Sequence, residues 1–173
     1  MLEIADAPGL RPTSERIRET LFNWLEPHIA GARCLDLFAG TGALGLEALS
    51  RGAASAVFVE KSQTAIDALR RNVASLDASG ADVQATNAMS YLQTVQADSF
   101  DLVFLDPPFA DESLDELCRL IDERGLLARG AILYLEHDRE KKVEPSLPGG
   151  WSVTKNKTAG NVRYMLVATG PKP

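Results

Sequence analysis

The chain has 173 residues, 45% of them hydrophobic and 24% charged, with a net charge of −6. That length predicts one domain, 1–173, with a core of its own, and the acidic balance excludes tight nonspecific binding of nucleic acid by the whole surface. No apolar run approaches the roughly eighteen residues of a membrane span, "MLEIADAPGL" is too acidic for a signal peptide, and Cys34 and Cys118 lie in apolar patterns as reduced core thiols, so a cytoplasmic location is expected.

"PTSERIRETLFNWLEP" predicts a helix capped by Thr13 or Ser14. Ile17, Leu21, Phe22 and Leu25 form its apolar stripe, and Pro27 is expected to stop it. "RCLDLF" then reads as a buried strand, "ALGLEALSR" as a helix closed by Gly52, and "SAVFVE" as a second strand. "SQTAIDALRRNVASL" is a helix with Ser62 at its cap, "DVQAT" a third strand, and Met89 to Leu92 a short helix. "FDLVFLD" has the unbroken apolar run of a strand covered on both faces. "DESLDELCRLIDERG" is a helix ended by Gly125, and "GAILYLEH" a fifth strand. "WSVTKNKT" and "VRYMLVA" alternate like two strands around Ala159-Gly160-Asn161, which reads as an antiparallel hairpin. Strands alternating with helices mean an α/β, Rossmann-like sheet, mostly parallel, here with an antiparallel hairpin at its C-terminal end.

Ligands of such a sheet sit beyond the carboxyl ends of its strands. Asp36 closes the first strand, Glu60 the second and Asp106 the fourth; Asn87 is expected to close the third. The turn "FAGTG" lets a ligand approach its backbone, and amides at the start of the following helix favour an anionic group, whether pyrophosphate or carboxylate. Gly40, Gly42 and Gly45 complete G-x-G-x-x-G, although Gly45 reads equally well as helix packing. Glu60 can accept two hydrogen bonds from a ribose diol, and the Asn87 amide can donate to and accept from an adenine edge. Together these features imply an adenosine-containing ligand.

"DPPF" narrows the chemistry. Pro107 and Pro108 have no N–H and fix φ, so the loop offers acceptors only: the Asp106 carboxylate and backbone carbonyls. That suits a planar amino group, and Phe109 supplies a face for stacking a base. No metal ligand set is expected.

These residues resemble a class I S-adenosylmethionine-dependent methyltransferase of the amino-group type, through "DLFAGTG", "VFVEK", "NAM" and "DPPF". "LRPTSERIRETLFNWL", "GALGLEALSRGA" and "KTAGNVRYML" narrow the resemblance to the bacterial RsmD family, over nearly the whole chain. The resemblance implies methylation of the exocyclic N2 of one guanine in 16S rRNA, with the assembled 30S subunit as the expected substrate and a monomeric enzyme. It implies that Phe38, Ala39, Gly40 and Gly42 cradle the methionine portion of the cofactor, with Asp36 near its ammonium group. Glu60, followed by Lys61, takes the ribose, while Asn87 and Ala88 flank the adenine. Asp106 and the Pro107 carbonyl hold the guanine amine; Pro108 stiffens the loop and Phe109 packs on the base. Arg11 and Thr13 of "RPT" lie near the active-site mouth, and Lys155, Lys157 and Arg163 are candidates for phosphate contact. Family members carry a basic segment ahead of "RPT"; here Met1 lies ten residues before Arg11, so that segment is expected to be missing. Two other readings share these motifs: an adenine-N6 methyltransferase of DNA or RNA, and a cofactor-binding ribosome assembly factor.

Overall fold

The computed structural model describes residues 15–108, 114–139 and 145–170. Helix α1 (Glu15–Ile29) buries Ile17, Leu21, Phe22, Leu25 and Ile29 along one face. Its last turn continues past Pro27, because a proline near a helix end removes only one backbone bond. There follow β1 (Arg33–Asp36), α2 (Ala43–Ser50), β2 (Ser55–Glu60), α3 (Gln63–Ser75), β3 (Ala81–Ala85), α4 (Ala88–Thr94) and β4 (Phe100–Leu105). Then come α5 (Leu114–Glu123), β5 (Leu127–Asp138), β6 (Ser152–Ala159) and β7 (Val162–Ala168).

The seven strands form one sheet in the order β3-β2-β1-β4-β5-β7-β6. Pairings β1–β2, β1–β4, β2–β3 and β4–β5 are parallel. β7 runs antiparallel to both β5 and β6, and Gly160 turns the hairpin at a φ of 56°. From β1 the chain winds outward to β3, then returns to β4 beside β1 and winds the other way. That reversal is the switch point at which open α/β sheets bind ligands.

Two apolar layers flank the sheet. On one face α1, α2 and α3 cover Cys34, Phe58, Phe104 and Tyr134. On the other, α4 and α5 cover Leu35, Val59, Val103 and Leu133. Phe104 bridges two aromatic neighbours in the first layer, with centroids 6.2 Å from Phe22 and 6.4 Å from Tyr134. Each such buried side chain contributes about 2–3 kcal/mol, which fixes β1, β4 and β5 as a rigid floor. Both cysteines are buried free thiols, and burial pushes each up to about 12, so neither is a ready nucleophile. Trp24 stacks on Tyr164 with centroids 5.4 Å apart, which anchors α1 to the C-terminal hairpin.

Two expected boundaries move. β5 starts three residues before "GAILYLEH", with a register irregularity opposite Phe100–Leu102. β3 ends at Ala85, so Asn87 does not close it; Asn87 is the cap of α4.

Candidate active site

The glycine turn is held by its neighbours on both sides. The Leu37 amide donates to the Phe104 carbonyl on β4 at 3.2 Å, and the Ala39 amide to the Val59 carbonyl on β2 at 3.0 Å. Gly40 and Gly42 take φ values of 57° and 91°, which disfavour any other residue there. From α3, the buried Asn72 amide donates to the Thr41 carbonyl at 3.0 Å. Sequence reasoning passed over Asn72 because an asparagine inside a helix looks like a surface residue.

Asp36 lies beneath this turn at 3% exposure. Its Oδ2 accepts the Gly45 amide at 3.1 Å, so it caps the first turn of α2 from outside the helix. Burial pushes its carboxyl up to about 7; the Gly45 bond opposes that shift and the Glu60 charge adds to it. Gly45 itself is required by packing. A Cβ at this position would stand 2.3 Å from Cε1 of the buried Phe58 ring.

Glu60 is half-buried and occupied on both oxygens. Oε1 accepts the Gly40 amide at 2.8 Å, and Oε2 accepts the amides of Lys61 at 3.0 Å and Ser62 at 2.9 Å. A carboxylate has about four acceptor sites. Accepting both hydroxyls of a diol therefore requires one backbone amide to yield. Lys61 is exposed and contributes its backbone amide here. The Asn87 Oδ1 accepts the Ser90 amide at 2.8 Å, which uses one of the two lone pairs on that oxygen and caps α4. Ala88 is buried at the start of α4, and Phe38 is half-buried against the second apolar layer.

Asp106 follows β4 directly and is half-buried, with Pro107 buried behind it. Phe109, Arg11 and Thr13 lie outside the described residues. Lys155 and Lys157 are exposed on β6 opposite Leu166 and Tyr164, on the α1 side of the sheet. Arg163 pairs with Thr158 and alternates with Tyr164, so it faces the opposite side and is half-buried. The three cations are thus not one patch.

Glu136 is the acid that sequence reading missed. Register places it level with Asp106, because Phe104 pairs with Tyr134 and Leu105 with Leu135. At 2% exposure it is buried, and its Oε2 accepts the Tyr134 hydroxyl at 2.9 Å. Across β2, β1, β4 and β5 the sheet's rim therefore carries Glu60 and Asp36 at strand ends, Asp106 just past β4, and Glu136 level with it inside β5. Among the described residues no group of three or more His, Cys, Asp or Glu side chains is arranged to hold a metal ion.

A family described as conserved hypothetical protein 95 matches residues 1–168. The chain is 47% identical over 165 residues to ribosomal RNA small subunit methyltransferase D of Escherichia coli K12, covering 95% of this chain and 82% of that one. The protein of the same name from Haemophilus influenzae is 39% identical over 168 residues, covering 95% and 86%. The chain belongs to the RsmD family. Among solved structures, yhhF of Escherichia coli superposes on this RsmD-family fold with a TM-score of 0.89 at 43% identity, covering 99% of this chain and 92% of that one. An RNA methyltransferase from Salinibacter ruber, solved with S-adenosyl-L-homocysteine, shares the fold at a TM-score of 0.69 and 13% identity, covering 94% and 96%.

The RsmD-family site fits a cationic ligand better than a dinucleotide. A pyrophosphate would bring two negative charges to a rim of four carboxylates, at a Coulombic cost that burial enlarges. A sulfonium with an ammonium group brings positive charge to the same rim, while the amides opening α2 suit the single carboxylate of a methionine tail.

Proposed function

We propose that the chain transfers a methyl group from S-adenosylmethionine to the exocyclic N2 amine of one guanine in 16S rRNA, within the 30S subunit. The observation that carries this reading is the acceptor-only Asp106-Pro107-Pro108 segment at the end of β4, beside the glycine turn at the switch point. S-adenosylmethionine supplies a methyl already activated on sulfur, so the chain's own task is alignment. Asp36 faces the ammonium group, the turn from Phe38 to Gly42 holds the methionine portion, and Glu60 takes the ribose. Ala88 and the Asn87 amide flank the adenine.

A guanine amine is a poor nucleophile because its lone pair is delocalised into the ring. Hydrogen bonds accepted by Asp106 and the Pro107 carbonyl draw both amine protons to one side and favour a pyramidal nitrogen. The Asp106 charge then stabilises the positive charge that develops there, until the methylated nitrogen releases one of its two protons to solvent and becomes neutral again. Phe109 stacks on the base, which has to leave its helix to enter. From residue 145 onward the chain has Lys155, Lys157, Arg163 and Lys172 and no acidic residue, against a net charge of −6 overall. The end of β6 and the start of β7 rise two positions beyond the Asp106 level on β5, which supports a role for the hairpin in meeting phosphates around the target. Arg11 and Thr13 are assigned to the same mouth.

Transfer of labelled methyl to under-methylated 30S subunits, naked 16S rRNA and DNA, followed by nucleoside analysis, tests the reading. N2-methylguanosine from the subunits is the expected product. N6-methyladenine would replace the guanine assignment, and cofactor binding without transfer would favour an assembly factor.

A further inference from the structure

Glu136 has no part in the chemistry described so far, yet it stands one strand from Asp106 and level with it. Adjacent strands lie about 4.8 Å apart, and paired residues of parallel strands point to the same face. Beneath the pair, the Tyr134 hydroxyl donates to Glu136 Oε2 at 2.9 Å. Tyr134 is pushed well above its ordinary value by burial first, and then by the charges of Glu136 and Asp106, so both carboxylates act on one hydroxyl. On its other side Glu136 pairs with Tyr164 of β7. One member of the acid pair is therefore enclosed and the other half-open.

Guanine presents two neighbouring donors on its Watson–Crick edge, N1–H and the N2 amine. Adenine presents an amine beside a bare N1 lone pair. Two carboxylates side by side match the first edge and repel the second. We propose that Glu136 selects guanine by accepting N1–H while Asp106 accepts from N2. This rests on the guanine-N2 reading above. Enclosure gives the contact its selectivity, because a lone pair aimed at a carboxylate shielded from water has no compensating partner.

The test uses 30S subunits reconstituted with 16S rRNA carrying either guanosine or 2-aminopurine at the methylated position. 2-Aminopurine keeps the amine and replaces N1–H with a lone pair. The wild-type enzyme is expected to methylate it roughly 100-fold more slowly than guanosine. In Glu136→Gln the amide oxygen keeps the Tyr134 bond and turns an NH2 group toward N1. Transfer to guanosine should then fall about 100-fold and transfer to 2-aminopurine should rise, with affinity for S-adenosylhomocysteine unchanged. Equal use of the two bases by the wild type overturns the proposal, and that comparison needs no variant. So does a proportional loss on both bases in Glu136→Gln, which is what a purely structural carboxylate would give. Failure of the guanine reading is a separate outcome, seen as a wild-type product other than N2-methylguanosine.

Discussion

The Glu60 carboxylate accepts the Gly40 amide at 2.8 Å, which ties the end of β2 to the glycine turn beyond β1. The same carboxylate holds the amides of Lys61 and Ser62. Glu60 is thus a strut of the glycine turn as well as the residue proposed for the ribose. Glu60→Ala should weaken binding of S-adenosylhomocysteine by more than tenfold and also lower stability, by about 1–3 kcal/mol for the unpaired amides. Calorimetric titration and urea unfolding measure the two effects. Unchanged affinity would remove Glu60 from the cofactor site, whatever happened to stability.

Asp106→Ala separates chemistry from cofactor binding. Asp106 follows β4, one strand beyond β1, whereas Glu60 at the end of β2 holds the Gly40 amide. Methyl transfer should be abolished while affinity for S-adenosylhomocysteine changes less than threefold, a difference of about 0.6 kcal/mol. Single-turnover transfer and titration together decide the matter. A parallel loss of both would make Asp106 a cofactor ligand instead.

Asp36 predicts a pH dependence of stability. Its carboxyl sits at about 7 in the fold, mainly through burial, against about 3.9 in an unfolded chain. The folded state therefore binds the proton more tightly. Its stabilisation is complete below the unfolded value and is lost as pH rises through about 7. Between pH 5 and 8 the wild type should lose on the order of 2–3 kcal/mol relative to Asp36→Asn. In that variant the amide oxygen can still accept from Gly45. Urea unfolding of both proteins across this range reads the difference, and parallel curves would place the titrating proton elsewhere.

Most strands and helices were legible because their periodicity and their punctuation agree. "SAVFVE" reads directly as β2 (Ser55–Glu60), and Ser62 caps α3 by accepting the Ala65 amide, as its position before the apolar stripe implies. The acids at the ends of β1, β2 and β4 stood out because each ends an apolar run. Glu136 did not, since it lies inside "AILYLEH" and two further residues of β5 follow it. Only the register with β4 shows that β5 overshoots the sheet's rim, so that a mid-strand residue becomes a rim residue. The role of Asn87 was half-legible: an asparagine at this point suits both a ligand and a helix cap, and the cap takes one lone pair of its oxygen. Arg163 was grouped with Lys155 and Lys157 by proximity in sequence, but strand alternation sends it to the other face.

Gly45 offers a test of the fingerprint itself. If the third glycine served a phosphate, a small side chain there would act on binding. In this fold the added Cβ would collide with Phe58, a fully buried ring that cannot retreat easily. Gly45→Ala should therefore destabilise the protein by about 1–3 kcal/mol despite the helix propensity it gains. Thermal unfolding measures this, and a variant as stable as the wild type would show that the ring has room to move.

The separation of the hairpin cations predicts unequal contributions to RNA docking. Lys155 and Lys157 are exposed on the α1 face, whereas Arg163 is half-buried on the other. Each phosphate contact contributes roughly one unit to the slope of log affinity against log salt concentration. Lys155→Ala with Lys157→Ala should lower that slope by about two for binding to 30S subunits and raise KM, with little change in kcat at saturation. Arg163→Ala should change the slope by less than one. Competition binding at several salt concentrations distinguishes the faces. A larger effect from Arg163 than from the lysine pair would put the RNA on the α4–α5 side of the sheet.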